Sequence, residues 1–175
     1  CKAQAIDHSM REEIVQLEVG AVILAPGYET FDPTILPHLG YRRYPDVVTS
    51  IEFERMLSAS GPYGGHLVRP SDGRPPRRIA WIQCVGSRDA SCNREYCSTV
   101  CCTYAIKQAM VAREHVPHEL EETIFFMDMR TQGKDFDKFC ERAVREGVEL
   151  VRGRVYEVER NDAGELLSLI HISEP

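Results

Sequence analysis

The sequence predicts an α/β fold with a parallel sheet, and three observations predict it. Short apolar runs lack the polar alternation of a half-exposed strand, helical patterns stand between them, and Gly and Pro punctuate the joins. Continuous apolar runs suit strands covered on both faces, which is the condition of a parallel sheet. From residue 79 onward the order reads strand, helix, strand, helix, strand. That is the βαβαβ half of a dinucleotide-binding, Rossmann-like fold, whose crossovers are right-handed.

Each element has a reason in the residues. Residues 18–25 are apolar and end at Pro26 and Gly27, which predicts a short buried strand. Residues 28–44 carry Pro33, Pro37 and Gly40 and read as loop. Thr49 and Glu52 have the spacing of a capping box, and Phe53, Met56 and Leu57 form an apolar stripe behind it; Ser60, Gly61 and Pro62 end that helix. Residues 61–78 alternate Gly with Pro and read as a solvated linker bearing a basic patch of Arg69, Arg74, Arg77 and Arg78. Residues 79–86 form a strand running into a glycine turn, 98–114 a helix, and 123–129 a second strand. A second helix over 135–146 places Phe136, Phe139, Cys140, Ala143 and Val144 on one face and ends at Gly147. Strand pieces follow at 148–151 and 155–158, and Asn161, Asp162, Ala163 and Gly164 make a turn before residues 165–167. His115 and His118 flank Pro117 and read as surface residues.

Composition excludes several classes. The 175 residues carry a net charge of −6, which disfavours a general nucleic-acid binder. No uncharged apolar run approaches the roughly 20 residues of a membrane span. The chain opens at Cys1 without an initiator Met, and its last residues supply a strand without further partners, so both ends read as truncations of something longer. Seven cysteines are an odd number, and Cys84, Cys97, Cys101 and Cys102 crowd within one short stretch, which points to a reducing compartment and a metal or iron–sulfur site.

The turn after the strand at 79–86 lacks the G-x-G-x-x-G fingerprint, since only Gly86 is present; ordinary NAD binding there is not expected. In its place stands C-x12-C-x3-C-C, over Cys84, Cys97, Cys101 and Cys102. If the following helix begins early, Cys97 and Cys101 share a face, and four thiolates converge outside the carboxyl end of the strand. Such a set suits tetrahedral zinc or a [4Fe–4S] cluster. The absence of paired C-x2–4-C knuckles favours the cluster, and buried structural cysteines are the third alternative. A helix N-terminus would stabilise the negative charge, with Arg88 and Arg94 as further donors. Cys92 is either a substitute ligand or a free loop thiol, and Cys140 a core residue. Arg130 and Lys134 read as solvated loop residues, with a nucleotide phosphate as the alternative, and no acid–base constellation identifies a catalytic residue.

Residues 82–89, with 96–102 and 104–109, resemble the signature of the iron–sulfur A subunits of CoB–CoM heterodisulfide reductase and their homologues; residues 20–28 and 44–65 resemble that family too. The resemblance implies an incomplete thioredoxin-reductase-like, FAD/NAD(P)-binding three-layer fold. It implies an FAD domain interrupted by a second nucleotide-binding-like domain. On that scheme residues 1–10 end a ferredoxin-type module, 11–60 close the first FAD segment, 61–78 link, and 79–165 are the inserted domain. Residues 166–175 are a truncated or non-native tail. Ala25, Pro26, Gly27 and Tyr28 are similar to the motif whose backbone approaches the flavin nucleotide, with Pro26 in place of a donor-bearing Thr. Cys84, Cys97, Cys101 and Cys102 match the family's cluster ligands, and Cys1 the last cysteine of a ferredoxin-type motif. The implied function is a cytoplasmic oxidoreductase relaying electrons between FAD and [4Fe–4S] clusters. Its implied partners are other subunits of the heterodisulfide-reductase type, or electron-transfer proteins like ferredoxin or hydrogenase. A structural zinc-binding interaction module is the rival reading.

Overall fold

Residues 7–171 are described by the computed structural model, which divides into two units, residues 1–30 and residues 31–175. Cys1 and the tail from residue 172 lie outside the described residues. In the first unit the strand expected over 18–25 does not form: Ile23 is 93% and Leu24 85% exposed, without a β-ladder partner among the described residues. An apolar run becomes a parallel strand only when neighbouring strands take up its amides and carbonyls, and its composition cannot supply them.

The second unit begins with two 3-10 turns, Pro33–Ile35 and Pro37–Leu39, each opened by the proline that the sequence marks as loop punctuation. Helix α1 follows at Ser50–Leu57, and its capping box is complete: Glu52 N–H donates to Thr49 Oγ1, and Thr49 N–H donates to the Glu52 carboxylate. Phe53, Met56 and Leu57 are buried as their spacing requires. Strand β1 spans Arg78–Ile82, α2 Cys101–Ala112 and β2 Glu121–Phe126; α3 spans Phe136–Arg145, β3 Glu149–Arg152, β4 Arg154–Arg160 and β5 Leu166–His171.

Strands β1, β2 and β3 form a parallel sheet in that order, and β4 pairs with β5 as an antiparallel hairpin. Register explains the layering. Trp81, Ile124 and Leu150 are successive partners on one face and pack among α1, α2 and α3. Ile82, Phe125 and Val151 are partners on the other and pack with Val155 and Val158 of β4 and with Leu39. The sheet therefore has helices on one side and a hairpin on the other, which is why its strands read as unbroken apolar runs. This is a mixed α/β architecture of three layers, consistent with the Rossmann-like expectation.

Several details differ from the sequence reading. The stretch 61–78 is loop, but it is anchored: Leu67 is buried in the helix-side core and its amide donates to His115 O at 3.2 Å. His115 is half-buried and His118 exposed, as expected of a surface residue; their rings bond to Gly65 O and Pro76 O respectively and tie this loop to the segment after α2. On α3 only Ala143 is fully buried, with Phe139 and Cys140 half-buried against the core; Phe136 and Val144 are exposed, so the apolar stripe is narrower than its pattern.

Two polar groups are buried in the helix side. Gln108 of α2 donates to Ser50 O at 2.9 Å and accepts from Trp81 Nε1 at 3.3 Å, joining α1, α2 and β1. Glu122 of β2, with its side chain fully buried, is paired with Arg113.

Candidate metal centre

The site is built at the carboxyl end of β1. After Ile82 the chain enters a sharp turn in which Cys84, Gly86 and Arg88 all have positive φ, at 61°, 64° and 56°. Gly86 is required there twice. Its φ favours glycine, and a Cβ would meet the Phe31 ring at 2.3 Å. An aromatic ring thus covers the face that a dinucleotide-binding glycine keeps open for pyrophosphate. Arg94 also stacks on Phe31, 5.6 Å from the ring centroid.

The segment between the turn and α2 is a small closed loop. Arg88 N–H donates to Tyr96 O, Asp89 N–H to Arg94 O, and Arg94 N–H to Asp89 O. A 3-10 turn, Ala90–Cys92, forms its tip, with Asn93 left-handed and Asp89 capping Ser91. Asp89 also pairs with Arg154 of β4, which fastens the loop to the hairpin layer. Cys92 sits at this tip with its Sγ 3.8 Å from Ser91 Oγ, while the loop returns the chain to Cys97.

Helix α2 starts at Cys101, with Val100 as N-cap and Thr99 left-handed at φ 65°. The early start that would put Cys97 and Cys101 on one helical face does not occur, because the Thr99 backbone breaks the helix between them. Cys101 and Cys102 instead occupy the first two helical positions, where backbone N–H groups lack intrahelical partners.

The structure brings these thiols into one neighbourhood to different degrees. Cys84, Cys101 and Cys102 are buried and Cys97 is partly exposed. Cys101 is hydrogen-bonded by the Cys102 thiol, by Ser98 and by the backbone amides of Cys84 and Cys102, which favours its thiolate and lowers its pKa. Cys102 is the other half of that pair: its interaction with Cys101, and its burial, keep its proton on and push its pKa up, and its thiol donates to Asp128 O at 3.8 Å. Burial raises the Cys84 pKa, and Cys101 and Cys97 nearby raise it further. Cys97 accepts from Thr99 N–H at 3.3 Å. Among the described residues, no three Cys, His, Asp or Glu side chains are drawn together tightly enough to hold a single ion. Cys140 lies on α3 against the core, as expected.

The donor set nevertheless fits a thiolate-ligated group in two respects. Four thiols lie between the end of a strand and the N-terminus of a helix, where partial positive charge favours anions. Beside Cys84 the guanidinium of Arg88 has its Nη1 buried without a hydrogen-bond partner in the described structure, a donor waiting for an acceptor. Sequence reasoning missed what holds Arg88: Asp128, just past β2, pairs with Arg88 at 2.8 Å, with Arg152 at 3.6 Å and with Arg130 at 3.9 Å. A lone Asp at the carboxyl end of an apolar strand was the available signal. Ala25, Pro26, Gly27 and Tyr28 belong to the first unit and are exposed, with Gly27 at φ 78°.

Fold and site together define a parallel α/β unit carrying a cysteine-rich centre at its strand ends. No family model matches the chain. Three curated relatives place it more narrowly. It is 51% identical over 157 residues to the second iron–sulfur A subunit of CoB–CoM heterodisulfide reductase from Methanopyrus kandleri, covering 89% of this chain and 24% of that protein. It is 44% identical over 155 residues to the corresponding iron–sulfur A subunit of Methanocaldococcus jannaschii, covering 88% and 23%. It is 43% identical over 162 residues to the A subunit of the H2:CoB–CoM heterodisulfide,ferredoxin reductase of Methanothermobacter marburgensis, covering 92% and 24%. The chain belongs to the family of CoB–CoM heterodisulfide reductase A subunits, and it spans about a quarter of the length of these relatives.

Proposed function

We propose that this chain is a segment of an FAD- and iron–sulfur-dependent oxidoreductase in which residues 79–165 carry one [4Fe–4S] relay site. The observation that carries the reading is the gathering of Cys84, Cys101 and Cys102 at the end of β1 and the start of α2, with Cys97 beside them. In this reading the four cysteines hold the cluster, which supplies one-electron transfer. The protein does the rest: it buries Cys84, Cys101 and Cys102 and offers the amides at the start of α2 to negative charge. The names of the relatives, two of them iron–sulfur subunits, favour a cluster over a zinc module.

The flavin belongs to the larger protein. Residues 11–60 would close the first FAD segment and 61–78 connect it to the relay domain, with Ala25, Pro26, Gly27 and Tyr28 near the nucleotide. Cys1 would be the last cysteine of a preceding ferredoxin-type motif. The working protein would then be cytoplasmic and exchange electrons with sister subunits or with a ferredoxin- or hydrogenase-like protein; none of the described helices is long and apolar enough to cross a membrane.

Single replacements test the ligand set. After anaerobic reconstitution with iron and sulfide, Cys84→Ala loses the cluster's iron and its visible absorption, whereas Cys92→Ala retains both. Loss of iron from the Cys92 variant with retention in the Cys84 variant would refute the assignment.

A further inference from the structure

We propose that Arg88 sets the electron affinity of the four-cysteine site, by donating to the sulfur at Cys84 from a position fixed by Asp128. The inference rests on the iron–sulfur reading and adds a role for a residue that holds no metal.

Arg88 is fixed at both ends. Its backbone is left-handed at φ 56° and its amide is bonded to Tyr96 O at 3.0 Å, so the side chain leaves the loop in one direction. At the far end Nη2 is held by Asp128 Oδ2 at 2.8 Å. Between them the guanidinium already interacts with the Cys84 thiol, while its buried Nη1 makes no well-formed hydrogen bond in the described structure. A buried donor without an acceptor carries its full desolvation cost, and native structures rarely keep one without a use. A sulfur bearing negative charge next to Cys84 is an acceptor of the right kind.

The surrounding charges single out Arg88. Asp128 is shared by three arginines, so the carboxylate is more than neutralised and its grip leaves the guanidinium charge available to the thiols. Arg130 and Arg152 are 40% and 75% exposed against 24% for Arg88, so water screens them more strongly. Arg152 is also turned toward Met127 O, to which its Nε donates at 3.1 Å.

The consequence is electrostatic. A cluster held by these four cysteines would supply one-electron transfer, and its reduced form would carry one more negative charge than its oxidised form, with no bond broken and no proton taken up. A fixed positive donor stabilises that state more than the oxidised one and raises the midpoint potential.

The test is a redox titration of the reconstituted chain, followed by visible and electron-paramagnetic-resonance spectra, for the wild type, Arg88→Gln, Arg88→Lys and Arg130→Gln. Arg88→Gln lowers the electron affinity about tenfold, a midpoint about 59 mV more negative for one electron. Arg88→Lys falls between it and the wild type, and Arg130→Gln stays close to the wild type. An unchanged midpoint in Arg88→Gln overturns the proposal, as does an equal shift in Arg130→Gln. If Arg88→Gln assembles no cluster, Arg88→Lys decides; a folded Arg88→Lys chain that holds no iron also overturns it. A wild-type chain that binds no iron defeats the iron–sulfur reading itself, which separates the two failures.

Discussion

At the scale of single residues, left-handed backbone marks the site. Cys84, Gly86, Arg88, Asn93 and Thr99 all have positive φ within one short stretch, a conformation that costs of order 1 kcal/mol or more per non-glycine residue. Gly86 is where this is most exposed to test. Gly86→Ala combines a disfavoured φ with a methyl driven into Phe31, so it should destabilise the protein by about 2 kcal/mol or more. Phe31→Leu in the same chain should return only the steric part. Denaturant unfolding of the wild type and these two variants measures both effects, and a neutral Gly86→Ala would mean that this turn is not built as described.

At the scale of elements, the polar contacts within the helix layer govern stability. Gln108→Ala leaves the Trp81 indole N–H without its partner and removes the bond to Ser50 O, a loss of about 1–3 kcal/mol readable as a lower denaturation midpoint. The Glu122–Arg113 pair behaves differently because burial dominates it. Burial raises the Glu122 pKa above its ordinary 4.5, although Arg113 pulls the other way. The folded state therefore holds this proton more tightly than the unfolded one. The resulting stability is fully present below pH 4.5 and is lost as pH rises through the raised value. Glu122→Gln should remove that slope and cost little near neutrality. Arg113→Met strands a buried carboxylate and should cost about 3 kcal/mol at neutral pH. Unfolding curves collected from pH 4.5 to 7 check both; a slope that survives Glu122→Gln would assign it to another group.

These elements also mark what could be read from the residues and what could not. The capping box at Thr49 and Glu52 and the three parallel strands were legible because local spacing and apolar runs determine them, whereas the pairing of Leu166–His171, read as part of a tail, with β4 was not. The strand expected over 18–25 was not, since its hydrogen-bond partners would have to come from other strands. At the site, the cysteine spacing and the strand-end location were legible. The start of α2 at Cys101 and the shared Asp128 were not: one depends on a left-handed Thr99, the other on three strand ends meeting in space.

At the scale of the whole molecule, the layers explain why the cysteines are where they are. A parallel sheet places the carboxyl ends of its strands along one edge, and here that edge receives Cys84 from β1, Asp128 from β2 and Arg152 from β3. Helices cover one face and the β4–β5 hairpin the other, so the edge is the accessible part of the sheet, and Asp89–Arg154 closes the cysteine loop onto the hairpin. The same edge holds a nucleotide in many α/β folds. In this chain Phe31 covers Gly86 and thiols stand where that fingerprint has glycines, the arrangement on which the proposed cluster site rests.

The most direct measurement is the iron and acid-labile sulfide content of the chain purified without oxygen and reconstituted, read together with its absorption spectrum. A relay site on these cysteines gives about four irons and four sulfides per chain, with a broad band near 400 nm that Cys84→Ala abolishes. One tightly held zinc in a colourless protein would contradict it.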